Sequence, residues 1–335
     1  MVAAFVAATG AVPPVADAAV LEKPVKGNSG AGTIGLKLVD VPVVSADDPR
    51  ARQYIVDHLA PGIVIHRRIE LWNDTASTLR VSAYPDAAGI VNGSFVGASG
   101  HGVNDLVTWT SVSEPTLDIP PGNRVRDTIT IAVPQDAPPG ERYGVVWAEV
   151  GTTGAGSITL VNRIGTRIYL SVGGGNAPAS NFTVDTLTAQ RDAKGHPVVE
   201  AMVHNTGGRA LDMSGTVTLA EMTGGVHSTA GPYDVQLGTT LAPGQSEPVK
   251  AVVTDSLGDG PWDATIELKS GLVDETYQAR ITFPRNPGSA KPVPAHPKTT
   301  AEHVKLITSA VAISALLGGV AAVPVTRYRR RRRGV

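Results

Sequence analysis

Between positions 34 and 283, apolar and polar residues alternate in short runs rich in Val, Ile and Thr, separated by Pro-Gly, Asn and Asp turns. A period of two sends successive side chains to opposite faces of a strand. The pattern predicts strands over 34–44, 63–72, 79–84, 126–133, 143–150 and 167–172. A second series follows over 182–190, 197–204, 214–221, 249–254, 263–269 and 276–283, with no long amphipathic helix between them. Leu59-Ala60-Pro61-Gly62, Ile119-Pro120-Pro121-Gly122 and Leu241-Ala242-Pro243-Gly244 each lead into a strand, as a proline-glycine turn should. Asn73-Asp74-Thr75 and Asn205-Thr206-Gly207-Gly208 stand where one strand hands over to the next. Gly173-Gly174-Gly175-Asn176-Ala177-Pro178 has the composition of a linker. The expected fold class is all-β: two tandem immunoglobulin-like antiparallel β-sandwiches over 30–173 and 181–284, joined by a linker at 174–180.

A different pattern closes the chain. Positions 306–326 carry no charge and are followed by Arg327, Tyr328 and the run Arg329, Arg330, Arg331, Arg332, Arg333. At 1.5 Å per residue such a helix reaches about 30 Å, the thickness of a hydrocarbon core, and basic flanks stay cytoplasmic. This predicts a single transmembrane helix at 306–326 with an arginine-rich cytoplasmic tail at 327–335. Residues 285–305 would form a proline-rich stalk. At the other end, 1–18 is apolar and Ala16-Asp17-Ala18 fits a signal-peptidase site. No basic residues precede it, which a translation start upstream of Met1 would explain. The expected protein is a single-pass cell-membrane protein with its ectodomain outside.

Composition narrows the chemistry. With no cysteine there is no disulfide, thiol catalysis or zinc-thiolate site. Lys and Arg number 29 against 30 Asp and Glu, so no basic surface points to nucleic acid. Gly30-Ala31-Gly32-Thr33-Ile34-Gly35 satisfies a dinucleotide fingerprint literally, yet it opens a strand pattern where the fingerprint requires a helix. The eight histidines are scattered, and no G-x-S-x-G occurs. Asp47-Asp48, followed by Pro49-Arg50, reads as a solvated loop with an internal ion pair. No catalytic residue, cofactor or metal is expected.

Few aromatics occur, so their placement matters. Alternation over 143–150 puts Val146, Ala148 and Val150 on one face and Tyr143, Trp147 and Glu149 on the other. Over 167–172 it sets Arg167 and Tyr169 opposite Ile168, Leu170 and Val172. Tyr143, Trp147 and Tyr169 are therefore candidates for an exposed strip that binds a glycan or a protein partner, unless cross-strand packing or a loop covers them. Trp72, on a face with His66, Arg68 and Glu70, is a fourth candidate. Trp262, alternating with Ala264, Ile266 and Leu268, belongs to a core.

The segments GLKLVDVPVV, YIVDHLAPGIVIHRRIELWNDT, APPGERYGVVWAEV and NRIGTRIYLSV, then NFTVDTLTAQ, VEAMVHNTGGRALDMSGTV and LAPGQSEPV, resemble the bacterial WxL-interacting surface proteins. The resemblance implies a peptidoglycan-binding domain, a host-binding domain and one membrane span in a Gram-positive surface protein. Peptidoglycan and WxL-type surface proteins would be its partners. Tandem immunoglobulin-like domains equally suit an extracytoplasmic assembly chaperone or scaffold that acts by β-strand addition, without wall binding.

Overall fold

The computed structural model describes residues 33–98, 100–153, 159–223 and 226–298. Its architecture is all-β. The first half runs β1 (Ile34–Leu38), β2 (Ile55–Leu59), β3 (Val64–Asn73), β4 (Leu79–Val91), β5 (Ser94–Gly97), a short helix α1 (Asp105–Trp109), β6 (Thr110–Val112), β7 (Thr116–Ile119), β8 (Arg124–Ala132), β9 (Gly140–Thr153) and β10 (Thr159–Val172). The second half runs β11 (Phe182–Arg191), β12 (Pro197–Asn205), β13 (Leu211–Asp212), β14 (Ser214–Thr223), β15 (Val226–Asp234), β16 (Thr240–Leu241), β17 (Ser246–Val252), β18 (Trp262–Ser270), β19 (Val273–Ile281), β20 (Gly288–Ser289) and β21 (Val293–Pro294).

In the first half β1-β3-β8-β6 form one sheet and β2-β10-β9-β4-β5 another, with β7 added to β4. Ile69, Leu71, Ile129 and Ile131 from the first sheet pack in a single core with Val146, Ala148, Ile168 and Leu170 from the second. In the second half β17-β12-β11-β20 face β15-β14-β18-β19, and Val199, Ala201 and Val249 share a core with Val217, Leu219 and Ile266. Trp262, Ala264, Ile266 and Leu268 are all buried there, as their alternation requires.

Both halves use one polar device at a corner. Buried Asn73 donates its Nδ2 to the carbonyls of Ser77 and Ile119 at 2.7 and 2.8 Å, and buried Asn205 donates its Nδ2 to those of Arg209 and Leu241 at 2.9 and 3.1 Å. The backbone carbonyl of each asparagine accepts from the N–H of the glycine of the proline-glycine turn, Gly122 at 2.8 Å and Gly244 at 3.0 Å. Gly122 and Gly244 sit at φ of +70° and +76°, where a side chain would be strained. The recurring turn motifs of the sequence are thus held by equivalent hydrogen bonds, with β3 and β8 in the first half matching β12 and β17 in the second.

Several expectations change. The strand predicted over 34–44 stops at Leu38 and gives way to a 3-10 turn, Val43–Ser45. Β4 runs on to Val91, past Pro85, where 79–84 was expected. Among the described residues no helix is long and apolar enough to cross a membrane. For the described residues the expectation of a membrane-anchored, single-pass chain is corrected to that statement. The segments that carried it, the signal at 1–18, the span at 306–326 and the tail from Arg327 through Arg329 to Arg333, lie outside the described residues.

Candidate functional site

β9 and β10 pair antiparallel over their full lengths, so Tyr143 stands opposite Tyr169 and Trp147 opposite Gly165. Tyr143, Trp147, Arg167 and Tyr169 share the outer face of the sheet, as the alternation predicts. That face is covered. The β4–β5 hairpin folds across it, bringing the Phe95 ring within 5.1 Å of Tyr169 and 6.4 Å of Tyr143, while Tyr54 lies 5.8 Å from Tyr169. Tyr169 is left 1% exposed. Trp147 fits between Gly97 of β5 and Gly165 of β10, where a Cβ would run into the indole, and the Arg163 guanidinium stands 4.4 Å from its ring. The expected open aromatic strip is therefore packing between the sheet, its own hairpin and the second half of the chain.

The cover from the second half is ionic. Tyr169 donates its hydroxyl to Asp212 Oδ1 at 2.8 Å, and Arg167 Nη1 reaches the same oxygen at 3.3 Å. Thr240 donates to it as well, at 2.8 Å. Arg50 Nε lies 3.2 Å from Asp212 Oδ2, and its Nη1 donates to the carbonyl of Ala210 at 2.7 Å. Glu141 Oε2 accepts the N–H of that same Ala210 at 2.7 Å and the hydroxyl of Tyr143 at 2.7 Å. Both backbone groups of Ala210 are therefore gripped by side chains of the first half. Burial raises the pKa of Tyr169, Tyr143 and Glu141 and lowers that of Arg209, as loss of solvation from a charged form does. A second contact lies at the tip of the hairpin, where Gly93, at φ +70°, accepts from the N–H of Thr240 at 2.7 Å.

Sequence reasoning missed Arg50, Glu141 and Asp212. Glu141 shares the parity of Tyr143, and Asp212 lies between the core residues Leu211 and Met213, a position where a charge needs a partner. Asp48 does not pair with the Arg50 side chain as expected. It accepts the Arg50 backbone N–H at 2.8 Å and caps the 3-10 turn Pro49–Arg52, which turns the guanidinium toward the second half.

Trp72 sits apart, on the outer face of the β1-β3-β8 sheet. Its ring lies over Gly35 of β1, and the Arg124 guanidinium of β8 is 5.4 Å from its centroid. Among the described residues no group of three His, Asp or Glu side chains converges as a metal site.

Sheet edges complete the picture. β10 is 14 residues long and β9 covers all of it, but on its other side β2 pairs only with Ile168–Val172. Among the described residues no strand pairs with 159–167 on that side. Val161, within that stretch, is 51% exposed. β1 likewise pairs on one side only, with β3.

No family model matches the chain, and no curated protein does. Among solved structures it is similar to a chain of the Salmonella enterica SafA pilin and SafB chaperone complex, at 9% identity and a TM-score of 0.40, over 81% of this chain and 99% of that one. It is also similar to a chain of the CsuC–CsuE chaperone–tip subunit complex of Acinetobacter baumannii, at 11% identity and a TM-score of 0.37, over 76% and 100%. The Pseudomonas aeruginosa CupB2 chaperone matches at 10% identity and a TM-score of 0.36, over 68% and 97%. Likeness of this degree leaves function to be read from the chain's own residues. The resemblance to WxL-interacting surface proteins is corrected, since no family model matches the chain. Peptidoglycan binding and WxL-type partners, which came with that resemblance, fall with it.

Proposed function

We propose that the protein is a non-catalytic assembly chaperone or scaffold, built of two immunoglobulin-like sandwiches joined at 174–180, the second of them closed by β20 and β21 from the stretch that was expected to be a stalk. It binds an extended segment of a protein partner by strand addition. The observation that supports this reading is the unpaired side of β10 at 159–167, beside the equally unpaired β1. A row of unsatisfied N–H and C=O groups on an edge is a template for another strand, and alternate side chains of the incoming segment supply specificity. The ionic junction holds the second half at Arg167 and Tyr169, and Thr166 donates its hydroxyl to the carbonyl of Gln53 at 3.2 Å, so the open part of the edge lies toward Thr159.

The test is hydrogen exchange of the full chain with a decapeptide of alternating Val and Thr, and with the same residues in blocks. The alternating peptide should protect amides in 159–167, and the blocked one should not. Protection confined to other strands, or no difference between the peptides, overturns the reading.

A further inference from the structure

The outer face of the β1-β3-β8 sheet has no part in the strand-addition reading, because it presents side chains and not a backbone edge. Its register sets Lys37 opposite Glu70, and Glu70 opposite Arg126, in one row across three strands. The next row is Gly35, Trp72 and Arg124. Three cations meet on the single carboxylate of Glu70: Lys37 Nζ at 2.9 Å and Arg124 Nη1 at 3.2 Å on Oε1, and Arg126 Nε at 3.4 Å on Oε2. The side chain of Glu70 is 10% exposed, whereas those of Lys37, Arg124 and Arg126 are 52%, 58% and 60% exposed. Three positive charges against one leave two in surplus, in a chain whose formal net charge is -1. Arg68, farther along β3, adds nothing to the surplus because Asp40 neutralises it through contacts of 2.6 to 3.1 Å.

Donors remain after Glu70 is satisfied. A guanidinium carries five N–H groups in a fixed fork, and Arg124 and Arg126 each spend one on Glu70. Trp72 contributes position: its ring, laid over Gly35, supports Arg124 from the neighbouring strand. With Gly35 on one side and Arg124 on the other, the indole offers no open face to a sugar ring.

We infer that this face docks an acidic polypeptide segment, with carboxylates at alternate positions of an extended chain pairing with Arg124 and Arg126. Those arginines are two residues apart on one strand, about 7 Å, which is the i to i+2 spacing of an extended peptide. Carboxylates at that spacing meet both forks at once, and Lys37 lies about 10 Å across the sheet from Arg126 to take a third.

The experiment is a titration of the full chain at low salt with two capped octapeptides of equal charge, one repeating Glu-Thr and one repeating Glu-Glu-Thr-Thr. The alternating peptide should bind more tightly. The double variant Arg124→Gln/Arg126→Gln should weaken it about tenfold, and Lys37→Gln severalfold. Arg80→Gln/Lys194→Gln, an equal loss of charge at exposed positions, should leave it unchanged, and Glu70→Gln should tighten it. Equal affinity for the two peptides, or an equal loss in the control variant, overturns the assignment. So does a heparin fragment whose binding is lost in the Arg124/Arg126 variant while peptide binding is not, since the occupant would then be a sulfated glycan. Failure here leaves the exchange pattern at 159–167 untouched, so the two readings stand or fall separately.

Discussion

Arg50 donates its Nη1 to the carbonyl of Ala210 at 2.7 Å, across 160 positions of sequence. With Asp212 two residues further on, this pair ties the halves of the protein. Arg50→Ala strips Ala210 of its donor and Asp212 of one of its cations, both in partly buried surroundings. A loss of about 2–4 kcal/mol is expected in urea unfolding. The double variant Arg50→Ala/Asp212→Ala should fall short of the sum by more than about 1 kcal/mol, because the two residues share one network. Strict additivity would show that they act independently.

Asn73 and Asn205 hold equivalent corners, and each Nδ2 serves two carbonyls. Asn73→Ala and Asn205→Ala should each cost about 2–3 kcal/mol in chemical denaturation, since buried carbonyls lose donors that water cannot replace. A cost below about 0.5 kcal/mol at either site would mean that the corner holds without its asparagine.

Tyr169→Phe keeps the buried ring and deletes only the hydroxyl bonded to Asp212. The expected loss is about 1–2 kcal/mol in thermal or urea unfolding. Trp147→Ala should cost about 2–4 kcal/mol, as truncation of an aromatic wedged between two glycines leaves a cavity. Unchanged stability with loss of ligand binding would instead restore an exposed recognition role to Trp147.

Asp40 and Glu70 are both held near a pKa of about 2, Asp40 chiefly by its hydrogen bond to Arg68 and Glu70 chiefly by Lys37 and then Arg124. Their ordinary values are 3.8 and 4.5. A depressed carboxylate stabilises the fold above its unfolded pKa, and that contribution is lost as pH falls through the folded one. The melting temperature should therefore decline between about pH 4.5 and 2. Asp40→Asn and Glu70→Gln together should flatten that part of the profile, and an unaltered profile in the double variant would assign the acid sensitivity to other groups.

Much of the architecture was legible because the outer and inner faces of these strands differ in polarity. Val146, Ala148, Ile168, Leu170 and Trp262 fall in cores where period two places them. Alternation reports a face, however, and not what lies on it. Tyr169 is on the outer face and still buried, and Tyr143 beside it is half-buried, because a hairpin and a second half that no local pattern anticipates come to rest there. The short edge strand β2 went unread for a related reason: its Ile-Val-Asp-His-Leu has no clean alternation, with both Ile55 and Val56 buried and Asp57 paired to Arg67 at 2.7 Å. Arg50, Glu141 and Asp212 are far apart in sequence, and nothing local marks their convergence.

β10 is one unbroken strand with two employments. Its final residues carry Arg167 and Tyr169, whose contacts seat the second half, and its opening residues have one side that no described strand pairs. Any change at the Asp212 junction is therefore a change at one end of the strand whose other end carries the unpaired edge.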